Sequence, residues 1–168
     1  MLEVVRQERS SEVTLLDFGC GASHLYSYLI EKNLKGIKYF GLDLSAKFIQ
    51  LSKSKFPHNS YYCVDILSDE LVLPRFDYII MNGVFTEKRD LSFEEMLTYF
   101  QALIVKVFGL ADKGIAFNVM SKHVDWERDD LFHLPLDTLA NILTKHLTRN
   151  YIVRNDYGLY EYTTYVYR

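Results

Sequence analysis

Residues 15–29 read LLDFGCGASHLYSYL: two apolar residues and an aspartate, then two glycines flanking a cysteine, then a helical pattern. The apolar start belongs to a buried strand over 12–18, and Leu25, Tyr28 and Leu29 recur at helical spacing. A strand, a glycine-rich turn and a helix place a nucleotide-type ligand over the carboxyl edge of a parallel sheet. The unusual feature is Asp17. Beside a pyrophosphate its charge is misplaced, since two like charges 4 Å apart cost about 4 kcal/mol at an effective dielectric near 20. Beside a cationic ligand it is well placed, and Gly19 and Gly21 give room for close approach.

The rest of the chain alternates in the same way. Strands are expected over 36–43, 60–66, 75–83 and 113–120. Ser45 caps a helix that Pro57 cannot continue. Ser92 and Glu95 form a capping box, with Leu91 and Met96 spaced as a staple, opening a helix to Gly109. A further helix covers 134–147, with Pro135 at an early position. The runs RNYIVRND and LYEYTTYVYR, joined near Gly158, form an antiparallel hairpin. With Tyr157 in the link between them they hold six of the 13 tyrosines, which pack in the core or form a dimer edge. These elements predict an α/β, Rossmann-like sheet closed by one reversed strand.

With 168 residues, 49% of them hydrophobic, one domain spanning 1–168 is expected. The segment 1–12 before the first strand is expected to supply little or no separate lid, and it has no signal-peptide core. A formal charge of -3 argues against nucleic acid as partner. Cys20 and Cys63 form no disulfide framework, His58, His133 and His146 have no metal-ligand spacing, and no apolar run spans a membrane. A cytoplasmic monomer or homodimer without a required metal is expected.

Asp43, at the end of the second strand, is suited to a ribose, or alternatively caps the next helix. S-adenosylmethionine has both a ribose and the positive charge that Asp17 calls for. LLDFGCGASHL resembles the first motif of class I S-adenosylmethionine-dependent methyltransferases, and the resemblance extends over most of the chain. It implies a seven-stranded sheet in the order 3-2-1-4-5-7-6 with strand 7 antiparallel and helices on both faces. It also implies cofactor contacts from Asp17, Gly19, Cys20, Gly21, Asp43, Leu44, Asp65, Ile66, Asn82 and Gly83. Asp65 and Ile66 would border the adenine, and FDYIIMNGVF would run under the methyl-transfer site. The family's frequent third glycine is replaced by Ser23, small and suited to cap the helix. His24, opening that helix, contacts cofactor or solvent.

The acceptor is expected where 82–90, 121–133 and the 156–158 turn converge. The NGVF segment lacks the prolines of DNA amine methyltransferases, which favours a small molecule. Asn82 is a candidate to hold acceptor or cofactor, and Phe85 either floors the pocket or packs in the core. Asp125, Trp126 and Tyr157 are candidate acceptor contacts. The alternative for 121–133 is a solvated loop with Trp126 tucked beneath it. His123 is the candidate base for a hydroxyl acceptor. The 121–135 segment resembles small bacterial members associated with surface polysaccharide, which implies a sugar hydroxyl or amine. The competing readings are a non-catalytic S-adenosylmethionine-binding regulator and a nicotinamide-dependent oxidoreductase; Asp17 and the closing hairpin oppose the latter.

Overall fold

The computed structural model describes residues 1–5, 12–68 and 73–168. A 3-10 turn, Leu2–Val4, precedes β1 (Val13–Phe18), α1 (His24–Glu31), β2 (Ile37–Asp43), α2 (Ala46–Lys55), β3 (Ser60–Cys63) and β4 (Phe76–Met81). There follow α3 (Phe93–Leu110), β5 (Ala111–Ser121), β6 (His133–Leu134), α4 (Leu136–His146), β7 (Tyr151–Arg154) and β8 (Glu161–Tyr167). The main path through the sheet is β3-β2-β1-β4-β5-β8-β7. Only β8 runs against its neighbours, pairing antiparallel with both β5 and β7. Setting β6 aside, this is the expected order with the expected reversed strand.

Strand parity sorts the side chains to two faces. Leu16, Ile79, Met81, Ile115 and Phe117 pack with Phe100 and Ile104 of α3 and Leu139 and Leu143 of α4. Leu15, Tyr39, Ile80, Ala116 and Tyr165 face the other way, with Leu25 and Leu29 of α1 and with Val4. Of the expected N-terminal segment 1–12, residues 6–11 lie outside those described. Val4 itself is fully buried.

Several boundaries differ from the sequence reading. The Ser92–Glu95 capping box forms, but α3 continues through Gly109, and β5 starts at the next residue after the helix. β3 stops at Cys63, so Asp65 and Ile66 lie in the following turn instead of in a strand. The link between β7 and β8 spans residues 155–160 and is longer than a tight turn.

The two-residue β6 is an addition, pairing parallel with Met120 and Ser121. His133 is buried, with Nδ1 2.7 Å from Ser121 O and Nε2 accepting from the Arg128 amide at 3.2 Å. Those two contacts assign the neutral Nδ1–H tautomer. They fold 122–132 into a closed excursion that starts and ends beside the same strand.

Candidate active site

The site is built where β1, β2 and β4 end. Asp17 sits in register with Gly41 of β2 and Ile80 of β4, and is 4% exposed. Its Oδ2 accepts from the Tyr39 hydroxyl at 2.8 Å. Burial pushes its carboxyl up to about 6; the Tyr39 bond opposes the shift and the Asp43 charge adds to it. Among the described residues no cation forms an ion pair with Asp17. A buried carboxylate answered by one neutral hydroxyl is an unbalanced charge, suited to an incoming positive group.

The glycine turn wraps over this carboxylate. The amides of Gly19 and Cys20 both donate to Leu42 O, at 2.8 and 2.9 Å. Gly19 has φ +75, and a Cβ there would lie 2.9 Å from Val84 Cγ2, so neither its angle nor its space admits a side chain. The Cys20 thiol is buried and pushed up to about 12, mainly by desolvation, which leaves it protonated and unreactive at neutral pH.

Ser23, at the third-glycine position, does not cap α1 with its side chain; this corrects the sequence reading. Its backbone is left-handed at φ 58, the conformation glycine would adopt without strain. Its Oγ instead donates to Ser52 Oγ of α2 at 2.8 Å, and Ser52 donates to Gly21 O at 2.9 Å. Lys55 Nζ donates to Ala22 O at 2.7 Å. The turn is therefore tied down from α2 at consecutive residues.

Of the two readings made of Asp43, the structure shows the contact with the start of the next helix. Its Oδ2 accepts from the Gly21 amide at 2.9 Å and its Oδ1 from the Ser45 amide at 2.8 Å. It braces both the glycine turn and the start of α2, while Ser45 Oγ receives the Phe48 amide at 3.4 Å. A cavity of about 380 Å³ opens beside these groups. Asp17, Gly19, Cys20, Gly21, His24 and Asn82 line it, together with Met1, Leu25 and Ile80.

The other candidates do not line this cavity. Leu44 is 65% exposed, Asp65 Oδ1 accepts from the Leu67 amide at 2.9 Å, and the Ile66 side chain is in the core. Of the two places open to Phe85, the structure gives it the core: it is fully buried, with its ring edge-on to Phe100 and Phe117. Trp126 is 72% exposed and not tucked beneath its loop. His123 is exposed, its amide donating to Ser121 Oγ at 3.0 Å. Asp125 accepts from the Tyr160 hydroxyl, and Tyr157 Oη lies 2.9 Å from Thr163 Oγ1. Among the described residues there is no group of three or more His, Cys, Asp or Glu placed to hold a metal ion.

Sequence reasoning passed over Tyr39 and Asn118. Asn118 interrupts the apolar run GIAFNVM, and that interruption was its signal. It is 4% exposed; its Oδ1 accepts from the Gly83 amide at 2.8 Å and its Nδ2 donates to Glu161 Oε2 at 2.7 Å. It fixes the tip of β4 to the start of β8.

Residues 16–104, more than half of the chain, match the family described as "Methyltransferase domain". A Mycobacterium tuberculosis (strain ATCC 25618 / H37Rv) protein named "Putative methyltransferase Rv1506c" is 24% identical over 152 residues, covering 89% of this chain and 90% of that one. Among solved structures, magnesium protoporphyrin IX methyltransferase from Synechocystis PCC 6803 with bound SAM is similar at a TM-score of 0.65 and 16% identity. The match covers 94% of this chain and 71% of that one. A TehB-like SAM-dependent methyltransferase from Corynebacterium glutamicum ATCC 13032 Kitasato gives 0.64 and 16%, covering 95% and 82%.

Proposed function

The chain belongs to the methyltransferase-domain family, and from that premise we propose that it methylates a small polar molecule at a hydroxyl or amine, a sugar being the first candidate. The enzyme is an S-adenosylmethionine-dependent methyltransferase. The observation that carries the reading is the buried Asp17 carboxylate, without a cation partner among the described residues, at the wall of a 380 Å³ cavity. That volume lies within the roughly 300–1,000 Å³ of small-ligand sites.

The residues present fit the cofactor. Asp17 would meet its ammonium, the Asn82 side chain its methionine end, and Asp43 its ribose, with Gly19 and Gly21 leaving room for close approach. When bound, S-adenosylmethionine supplies a methyl group on a positively charged sulfur, ready for direct displacement. The chain's own work is then alignment and exclusion of water. Positioning two reactants can account for about 7–11 kcal/mol of barrier. Leu25 and Ile80 make one side of the cavity apolar, and Asn82 puts an amide at the tip of β4.

In this reading residues 1–168 act as one domain, with Asp65, Ile66, Leu44 and Gly83 completing the cofactor contacts. The loop bearing His123, Asp125 and Trp126, with Tyr157, forms the outer acceptor wall. Two free cysteines are compatible with a cytoplasmic enzyme. Among the described residues no helix is long and apolar enough to cross a membrane.

Calorimetry with S-adenosylhomocysteine and NAD, followed by assay of S-adenosylhomocysteine release with neutral and amino sugars, tests the proposal. Binding of S-adenosylhomocysteine without NAD binding, and release with a sugar, is expected. Binding of NAD alone would overturn it.

A further inference from the structure

A second polar cluster lies on the same face of the sheet as Asp17, displaced toward β5 and β8. Asp17 is in register with Ile80, Ile80 with Ala116, and Ala116 with Tyr165. Two residues further along, Asn118 pairs with Thr163, and beyond them Met120 pairs with Glu161. Asn118, Thr163 and Glu161 therefore share the α1 face with Asp17 by strand parity. Asn118 and Thr163 are nearly fully buried, and Glu161 stands half-buried at the edge.

This cluster is joined to the cavity. Asn82 lines the cavity, the next amide, Gly83, is held by Asn118, and Asn118 holds Glu161. The Met1 amino group is within electrostatic reach of Glu161, and Met1 also lines the cavity. Arg154, in register with Thr163 across the terminal strands, is engaged by both Glu3 and Asp156. Among the described residues no Lys, Arg or His forms an ion pair with Glu161. Its carboxylate accepts from the Asn118 amide and has capacity for further donors.

We propose that Glu161, anchored through Asn118 to the tip of β4, binds the methyl acceptor by an N–H or O–H on its reacting atom and takes up the proton released on transfer. The inference rests on the cofactor reading above and assigns the residue that meets its amine or alcohol acceptor. The acceptor's lone pair forms the bond to the methyl carbon while the carbon–sulfur bond breaks with its electrons left on sulfur. The acceptor's proton passes to the Glu161 carboxylate and from there to solvent. Thr163 and Tyr157, paired at 2.9 Å, offer hydroxyls to the remainder of a polyol. A carboxylate at the reacting position is disfavoured by like charge.

The test uses the whole chain, with Glu161→Gln, Glu161→Asp and His123→Gln beside the wild type. Glucosamine, methyl glucoside and glucuronate are the probes. S-adenosylhomocysteine binding is measured first; wild type and Glu161→Gln should agree within about twofold, which also verifies folding. Wild type should then release S-adenosylhomocysteine with glucosamine or methyl glucoside faster than with glucuronate. Glu161→Gln should slow that by roughly 10²–10³-fold, with Glu161→Asp between. Independently of turnover, Glu161→Gln should weaken glucosamine binding to the S-adenosylhomocysteine-loaded protein about tenfold. The proposal is overturned if Glu161→Gln matches wild type, if His123→Gln alone abolishes turnover, or if a protein that binds S-adenosylhomocysteine uses neither the amine nor the alcohol. Wild type that fails to bind S-adenosylhomocysteine overturns the cofactor reading itself, a distinct result.

Discussion

The Tyr39 hydroxyl donates to Asp17 Oδ2 at 2.8 Å, reaching forward along β2 on the face that both residues share. Gly41, directly opposite Asp17, keeps the way clear. A Cβ there would meet the Tyr61 ring at 2.6 Å and Cys20 Sγ at 3.0 Å. The Asp17 carboxyl titrates near 6 when folded, against an ordinary value of 3.8, so the folded chain holds its proton more tightly than the unfolded one. Stability from this group is therefore full below about pH 4, is lost as pH rises toward 6, and stays lost above. The difference is about 3 kcal/mol. Affinity for a cationic cofactor runs the other way, because only the ionised form attracts it. Asp17→Asn should melt several degrees higher than wild type at pH 7.5 while binding S-adenosylhomocysteine roughly 10–100-fold more weakly. Paired thermal melts and calorimetry check this; a variant that is both less stable and unimpaired in binding contradicts it.

Removing only the hydroxyl isolates the other partner. Tyr39→Phe leaves Asp17 buried without its donor, so its pKa should climb further. The pH at which S-adenosylhomocysteine affinity is half-maximal should move up by about one unit, as expected for losing one hydrogen bond to a charged group. Affinity at pH 8.5 should approach that of wild type. A uniform loss of affinity at every pH would mean that Tyr39 acts only through packing.

The sequence exposed the frame of this site more fully than its bracing. Asp17 and Asp43 were legible because a carboxylate at each strand tip beside a glycine turn has few structural uses. Alternating strands and helices plus a terminal hairpin pointed to a parallel sheet with one reversed strand, while the strand order came from the resemblance to class I S-adenosylmethionine-dependent methyltransferases. Ser23 was misread because a left-handed backbone at a non-glycine residue leaves no mark in composition. β6 was missed because two residues carry no periodicity; it depends on His133, distant in role from any strand signal. Glu161 looked like one polar residue among tyrosines, and only the antiparallel register brings it to the carboxyl edge of β5. Tyr39 was recoverable in principle, since parity puts it on the same face as Asp17 once strands one and two are paired.

Gly19 should tolerate no side chain. Gly19→Ala combines a left-handed backbone, costing about 1–2 kcal/mol, with a Cβ 2.9 Å from Val84 Cγ2. A melting temperature several degrees lower and weaker cofactor binding are expected. Adding Val84→Ala relieves the contact but not the backbone angle, so the double variant should recover only part of the loss beyond the cost of Val84→Ala alone. Complete recovery would show that the positive φ carries no weight here.

The tether from α2 makes the last prediction. Ser52 is fully buried, accepts from Ser23 Oγ and donates to Gly21 O, so Ser52→Ala leaves Gly21 O with the weak Cys20 thiol contact at 3.9 Å, while Ser23 Oγ keeps the Tyr61 hydroxyl at 3.2 Å. Leaving a buried polar group without a strong partner costs about 1–3 kcal/mol, which should lower the melting temperature by several degrees. S-adenosylhomocysteine affinity should also fall, by roughly tenfold or less, because the carbonyl that fixes the Gly21 turn is released. Ser23→Gly breaks the same serine pair but relieves the left-handed strain at φ 58, and Ser52 can still reach Gly21 O. It should therefore lie much closer to wild type in both stability and affinity. Equal losses in the two variants would place the function of the pair in the Ser23–Ser52 contact and not in the grip on Gly21.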